Sequence, residues 1–408
     1  MRAGTIAALG RVLRVSTGLA AICLAQAAAL ALPPDAPAPA GLGALIFRDT
    51  TLSASGQMAC ASCHDPAHAH APANGVAVQR GGAGLDVPGF RATPSLRYLN
   101  LNLPFSFKPD GTPTGGFTRD GGADTLVAQA RVPMLAAHEM ANGDAATFSA
   151  RLAASAYADD FRRVFGQDIF ADAELTLYAA QYALAQYQQT AREFHPFSAK
   201  FDAFLRGELM LSPAELRGFA LFNRPDKGNC AACHPSTRQA NGAPPVFTDY
   251  TYDNLGVPRS SEIPANADPG YFDLGLCARA ELAQRRELCG QFKVPTLRNV
   301  ATRHLFFHNG YFHSLAEALR FYAQRDTNPE KWYPLDVAGV PRKFNDLPPP
   351  LARNVNTSEA PYDRRAGEAP ALSDAEIDDV VAFLNTLTDG YDPATGTADP
   401  ARDVPPQG

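Results

Sequence analysis

The chain has 408 residues, enough for two or three domains with cores of their own. It carries 36 Lys and Arg against 42 Asp and Glu, a formal net charge of −6. That balance argues against nucleic acid and anionic membrane surfaces as partners, both of which attract basic chains.

Residues 1–32 read as an export signal: Arg2, Arg11 and Arg14 precede the apolar run VSTGLAAICLAQAAALA, which ends in small residues. A membrane anchor fits less well, because the run is short and passes directly into LPPDAPAPAG, a Pro/Ala-rich linker assigned to 33–42. Cys23 lies inside the signal, and Ile22 before it is not the small residue of a lipoprotein site. Losing the signal removes three arginines and no acid, taking the net charge from −6 to −9. The expectation is an exported, periplasmic protein with no stable membrane insertion of the mature chain.

The body divides into 43–198 and 199–396, with a tail at 397–408. The first part opens on a helix near GLGALIFRD and closes on DAELTLYAAQYALAQYQQTA. The second opens on SPAELRGFALFN, where Ser212 is the N-cap, Pro213 the first helical residue and Glu215 the partner in a capping box. It closes on SDAEIDDVVAFLNTLT, another Ser/Glu box, with Ile377, Val380, Val381, Leu384 and Leu387 on one helical face. Between these helices run long Gly/Pro-rich excursions, and few segments alternate like strands. Cys277 and Cys289 read as a disulfide, with two free thiols as the alternative.

After each opening helix stands Cys-x-x-Cys-His: Cys60, Cys63 and His64, then Cys230, Cys233 and His234. This is the c-type haem attachment pattern, in which two thiols add to the porphyrin vinyl groups and the histidine reaches the iron. A zinc half-site or a redox dithiol is the alternative for a single copy; two copies behind an export signal point to two covalently bound haem c groups. The fold expected is mainly α, two cytochrome c-like haem domains with long irregular loops. The sixth iron position decides function, since a closed iron carries electrons while an open one meets oxidant. Met1, Met58, Met134, Met140 and Met210 all precede Cys230, so the C-terminal segment offers no methionine ligand. It offers His304, His308, His313 and tyrosines instead; in the first part His138 is the histidine that comes from a distance.

The stretches QARVPMLAAHEM, FTDYTYDNLGVPR, FKVPTLRNV and FFHNGYFHSLAEALRFYAQRD resemble the bacterial dihaem cytochrome c peroxidase and MauG superfamily over nearly the whole mature chain. The resemblance implies a distal pocket of Gln129, Pro133 and Glu139 over an open N-terminal haem that reacts with hydrogen peroxide. It implies that Tyr322, where simple peroxidases have methionine, closes the second haem, so that iron is bound by His64, His234 and Tyr322. A phenolate suits an enzyme that stores two oxidising equivalents across both haems as a bis-high-valent state. RDTNPEKWYP further resembles MauG-like dihaem proteins of methanobactin operons (MbnH), which implies oxidation of a tryptophan on a secreted, copper-binding partner protein. Detoxification of peroxide with electrons from a small redox protein is the alternative, and a non-enzymatic electron carrier a further one. Arg298 is expected at a haem propionate and His308 near the second haem. The chain departs from the family pattern at Arg119, in the place of the inter-haem tryptophan, which leaves Phe117 or direct haem approach to share charge. It departs again at Ala92, in the place of an asparagine that holds calcium, which leaves that ion open. The single tryptophan, Trp332, reads either as an electron-hopping station or as an anchor for its turn.

Overall fold

The computed structural model describes residues 38–406, so the expected export signal lies outside the described residues. Among the described residues ten α-helices carry the fold: α1 (Pro39–Arg48), α2 (Cys60–Cys63), α3 (Leu126–Leu135), α4 (Ala145–Ala153), α5 (Ala158–Phe165), α6 (Ala173–Thr190), α7 (Lys200–Leu205), α8 (Pro213–Phe222), α9 (Leu315–Gln324) and α10 (Asp374–Asn385). Short 3₁₀ turns and four two-stranded antiparallel ladders fill the excursions, with two residues in each strand. The chain is mainly α with irregular loops, as its sequence pattern indicated. α1 starts inside the stretch read as linker, because Pro39 suits a first helical position whose N–H would be unpaired anyway.

Both capping boxes form. Ser212 accepts from the Glu215 N–H while Glu215 accepts from the Ser212 N–H, and Ser373 and Glu376 repeat the exchange at α10. Asp172 caps α6 by accepting from the Glu174 and Leu175 N–H groups.

Two apolar cores result. One is built on α1, α3, α4, α5 and α6 around Phe47, Phe148, Phe161 and Leu177. The other is built on α8, α9 and α10 around Phe222, Phe247, Phe321 and Phe383. In each core the opening and closing helices cross at a glycine. A Cβ on Gly43 would run into the Ala183 carbonyl of α6, and one on Gly218 into the Asp379 carbonyl of α10. That close crossing places Phe47 and Phe222, each four residues further on, at the wall of the same cavity. A smaller cluster forms around the Cys277–Cys289 disulfide, with Leu276, Leu282, Leu288 and Leu351.

Buried ion pairs join the halves. Arg97 and Asp389 are both fully buried and meet at 2.9 Å; Arg97 also donates to the Pro400 carbonyl at 2.8 Å. Asp389 further accepts from the Tyr98 hydroxyl at 2.7 Å and the Asn299 amide at 2.6 Å. Both carboxylate oxygens of Asp389 thus find donors in place of water. Among the described residues no helix is long and apolar enough to cross a membrane.

Candidate active site

α2 is one turn long and carries both thiols of the first motif, with His64 as its C-cap; the His64 N–H donates to the Cys60 carbonyl at 2.9 Å. The chain then folds back on itself between Asp65 and Ala71, through left-handed backbone at Ala69 and His70 (φ 54° for both). This turn brings the His70 carbonyl to 3.2 Å from His64 Nδ1. In the second motif the Phe247 carbonyl lies 2.8 Å from His234 Nδ1, and Phe247 is also left-handed, at φ 53°. Each imidazole therefore donates Nδ1–H to a backbone carbonyl, which fixes the tautomer and leaves Nε2 with a free lone pair. Burial holds both rings neutral: His64 is pulled down to about 4, and His234 is lowered too.

Cys60, Cys63, Cys230 and Cys233 are unpaired. Burial pushes their thiols up, to about 11 for Cys63 and about 12 for the other three. Among the described residues no three His, Cys, Asp or Glu side chains converge as a metal cage.

Both motifs open on one continuous cavity of about 690 Å³, walled by both halves and mostly apolar. Gln129, Pro133, Glu139, Tyr322 and Arg298, singled out from sequence, all line it. α3 supplies Gln129 and Pro133; its N-cap Thr125 accepts from the Ala128 N–H. α3 stops at Leu135, and the chain turns under it: the Met140 N–H donates to the Pro133 carbonyl and the Glu139 N–H to the Ala136 carbonyl, both at 3.0 Å. The Gly82 N–H clamps the Glu139 carbonyl at 2.9 Å. Gly81 packs so closely on the same segment that a side chain there would strike the His138 and Glu139 carbonyls. Glu139 Oε2 is buried without a hydrogen-bond partner, and burial alone raises the carboxyl from 4.5 to about 7. His138 lines the same wall, its ring edge-on to Phe90 at 4.9 Å.

Tyr322 sits in the last turn of α9, between Phe307 (5.4 Å) and Tyr362 (6.0 Å). Burial lifts its hydroxyl far above the usual phenol range, reinforced by Cys233, Cys230 and Asp253. Its oxygen makes no hydrogen bond among the described residues, so only a cation in the cavity would favour the phenolate. Four protonated thiols, two imidazoles with free Nε2 atoms and an apolar wall fit a porphyrin in each half.

Among the described residues Arg298 pairs with Asp202, bidentate at 2.6 and 2.8 Å, at the cavity wall. Its Nε donates to the Pro245 carbonyl, which leaves one N–H on each Nη for a further acceptor. Trp332 is 5% exposed and packed edge-on to Phe312 and Phe321 in the second core, away from the cavity wall. His308 stacks on Phe292 at 3.6 Å in the wall, and Phe117 also lines it. Ala92 offers a cation no side-chain oxygen, and its carbonyl accepts from Arg119 Nε at 2.6 Å. Sequence reasoning missed Arg303 and Lys293, which also line the cavity.

A family model described as di-haem cytochrome c peroxidase matches residues 37–210. Methylamine utilization protein MauG of Paracoccus denitrificans is 36% identical over 369 residues, covering 87% of this chain and 89% of that protein. The crystal structure of the diheme peroxidase BthA from Burkholderia thailandensis superposes with a TM-score of 0.80 at 38% identity, covering 90% of this chain and 91% of that one. A MauG-like protein associated with microbial copper homeostasis shares the fold, with a TM-score of 0.58 at 23% identity over 88% of this chain and 92% of that one. The chain belongs to the di-haem cytochrome c peroxidase and MauG family. It is a haem-dependent, peroxide-using oxidoreductase with two haem groups.

Proposed function

We propose that this is an exported, periplasmic enzyme that uses hydrogen peroxide to oxidise a tryptophan on a secreted, copper-binding protein. Both haems are held covalently, through Cys60 and Cys63 with His64 on the iron, and through Cys230 and Cys233 with His234. Residues 43–198 form the peroxide-reacting domain and 199–396 the electron-transfer domain. When bound, the haem pair supplies the iron at which peroxide is reduced and keeps the oxidising equivalents until the partner is oxidised.

The chain's own residues handle protons and orientation. Glu139 takes a proton from the inner peroxide oxygen and returns it to the outer one, so that the departing oxygen leaves as water. The Gln129 amide donates a hydrogen bond that holds the peroxide in line. Pro133 helps to end α3 where the chain must turn to present Glu139. Tyr322 contributes the hard oxygen donor of the second iron.

The observation that carries this reading is the Glu139 carboxyl: buried at the cavity, without a cationic partner, and brought by burial to about 7, where one group both accepts and donates a proton. Mass spectrometry of candidate secreted copper binders, incubated with the haem-loaded enzyme and peroxide, tests it. A gain of oxygen on one tryptophan is expected. The description of BthA as a diheme peroxidase favours a second reading, detoxification, and rapid turnover with reduced cytochrome c as sole donor would establish that instead.

A further inference from the structure

The cavity wall holds more positive charge than the protein neutralises. Arg91, Arg97 and Arg298, all in that wall, each have a carboxylate: Asp273 and Asp120, Asp389, and Asp202. Arg119, Arg303 and Lys293 line the same cavity and have none within ion-pair distance among the described residues. Each is tethered instead to backbone carbonyl oxygen. Arg119 Nε donates to Ala92 at 2.6 Å, Arg303 Nη2 to Thr93 at 2.9 Å, and Lys293 Nζ to Gly116 at 2.7 Å. These tethers aim the cations without cancelling their charge, and they leave both Nη groups of Arg119, Nη1 of Arg303 and two Lys293 protons free.

The three also cross the boundary between the halves. The Lys293 N–H donates to the Arg119 carbonyl at 2.8 Å, and Arg303 reaches from the second half to Thr93, close enough to His64 for its charge to be felt there. Burial lowers all three side chains: Arg119 to about 9, with Arg303 and Arg91 adding repulsion, Arg303 to about 10 and Lys293 to about 7. The Tyr250 hydroxyl, also in the wall, is buried without a partner. Holding Arg119 near Arg303, and keeping Lys293 from water, costs free energy unless anions join them.

We propose that Arg119, Arg303, Lys293 and the Tyr250 hydroxyl form one anion site at the boundary of the two halves, which takes the propionate carboxylates of both haems. The anion arrives with the prosthetic groups because the site faces both Cys-x-x-Cys-His motifs through a single cavity. This rests on the two haem sites described above and gives their carboxylates protein partners besides Arg298.

The test uses haem-loaded protein with two haems per chain by pyridine haemochrome; fewer haems would count against the haem sites themselves, not against this assignment. Positive charge beside a propionate favours the reduced haem. Arg119→Leu and Arg303→Leu should therefore lower the reduction potentials in spectroelectrochemistry, and Arg119→Lys and Arg303→Lys should restore most of the shift. In wild-type protein the propionate bending bands of the resonance Raman spectrum should lie at hydrogen-bonded positions and move in D₂O, a readout that needs no variant. Potentials unmoved by the leucine variants, bands at free-propionate positions, or a shift on dialysis against EGTA showing that a bound cation supplies the charge, would each overturn the proposal.

Discussion

A carboxyl held against a cavity wall with one oxygen unpartnered can lower its energy by taking a proton or by meeting a donor that comes with a ligand. Glu139 is in that position, and its burial sets the sign of a pH effect. Only the deprotonated form accepts a proton from peroxide, so the rate of the peroxide reaction should rise with pH through about 7. Stopped-flow kinetics of Glu139→Gln should show that slope gone and the rate lower by roughly two orders of magnitude or more; an unchanged profile would remove Glu139 from the proton transfer. Tyr322 gives the second prediction. An anionic oxygen donor stabilises oxidised iron more than a thioether does, so Tyr322→Met should raise the reduction potential of the second haem. A potentiometric titration in which both haems keep their wild-type values would mean that Tyr322 is not a ligand. The Cys-x-x-Cys-His motifs were legible because their chemistry fits in five consecutive residues. The ion pair of Arg298 with Asp202 was not legible, because Asp202 lies 96 positions away and nothing local marks it.

Among the helices, what could be read depended on the same distinction between local and distant. The boxes Ser212–Glu215 and Ser373–Glu376 are three-residue relationships, and both α8 and α10 start where they indicated. Of the expected stripe, Ile377, Val380, Leu384 and Leu387 are buried and Val381 half-buried, but Phe383, outside it, is also fully buried. Its ring packs against Phe201, Phe219, Phe222 and Phe247, aromatics from α7, α8 and a loop that helical periodicity cannot connect. The glycine crossings were likewise invisible in sequence, since Gly43 and Gly218 stand in ordinary amphipathic helices. Adding a methyl there forces α1 off α6, or α8 off α10. Gly43→Ala and Gly218→Ala should each destabilise by about 1–3 kcal/mol, more than the helix propensity gained. Urea denaturation of the loaded protein measures this, and a stabilised Gly218→Ala variant would mean that the two helices separate without cost.

At the scale of the whole molecule, the two apolar cores are fastened by contacts between distant parts of the chain. Arg97 and Asp389 are 292 positions apart, and the pair is fully buried. Removing one charge leaves the other stranded, so Asp389→Asn should cost about 3–5 kcal/mol and lower the melting temperature measured by calorimetry. A variant that melts with the wild type would show that water reaches the pair. Removing both charges together, as in Arg97→Met with Asp389→Leu, should cost less than removing one.

The unneutralised Arg119, Arg303 and Lys293 also bear on biogenesis. A polypeptide still waiting for its porphyrins has three cations to bring together at its centre and no reason to close around them. Such a chain should stay open and be cut readily by an added protease, while the completed product resists. Quality control would then need no dedicated inspector, because the vacant form betrays itself by its own electrostatic repulsion.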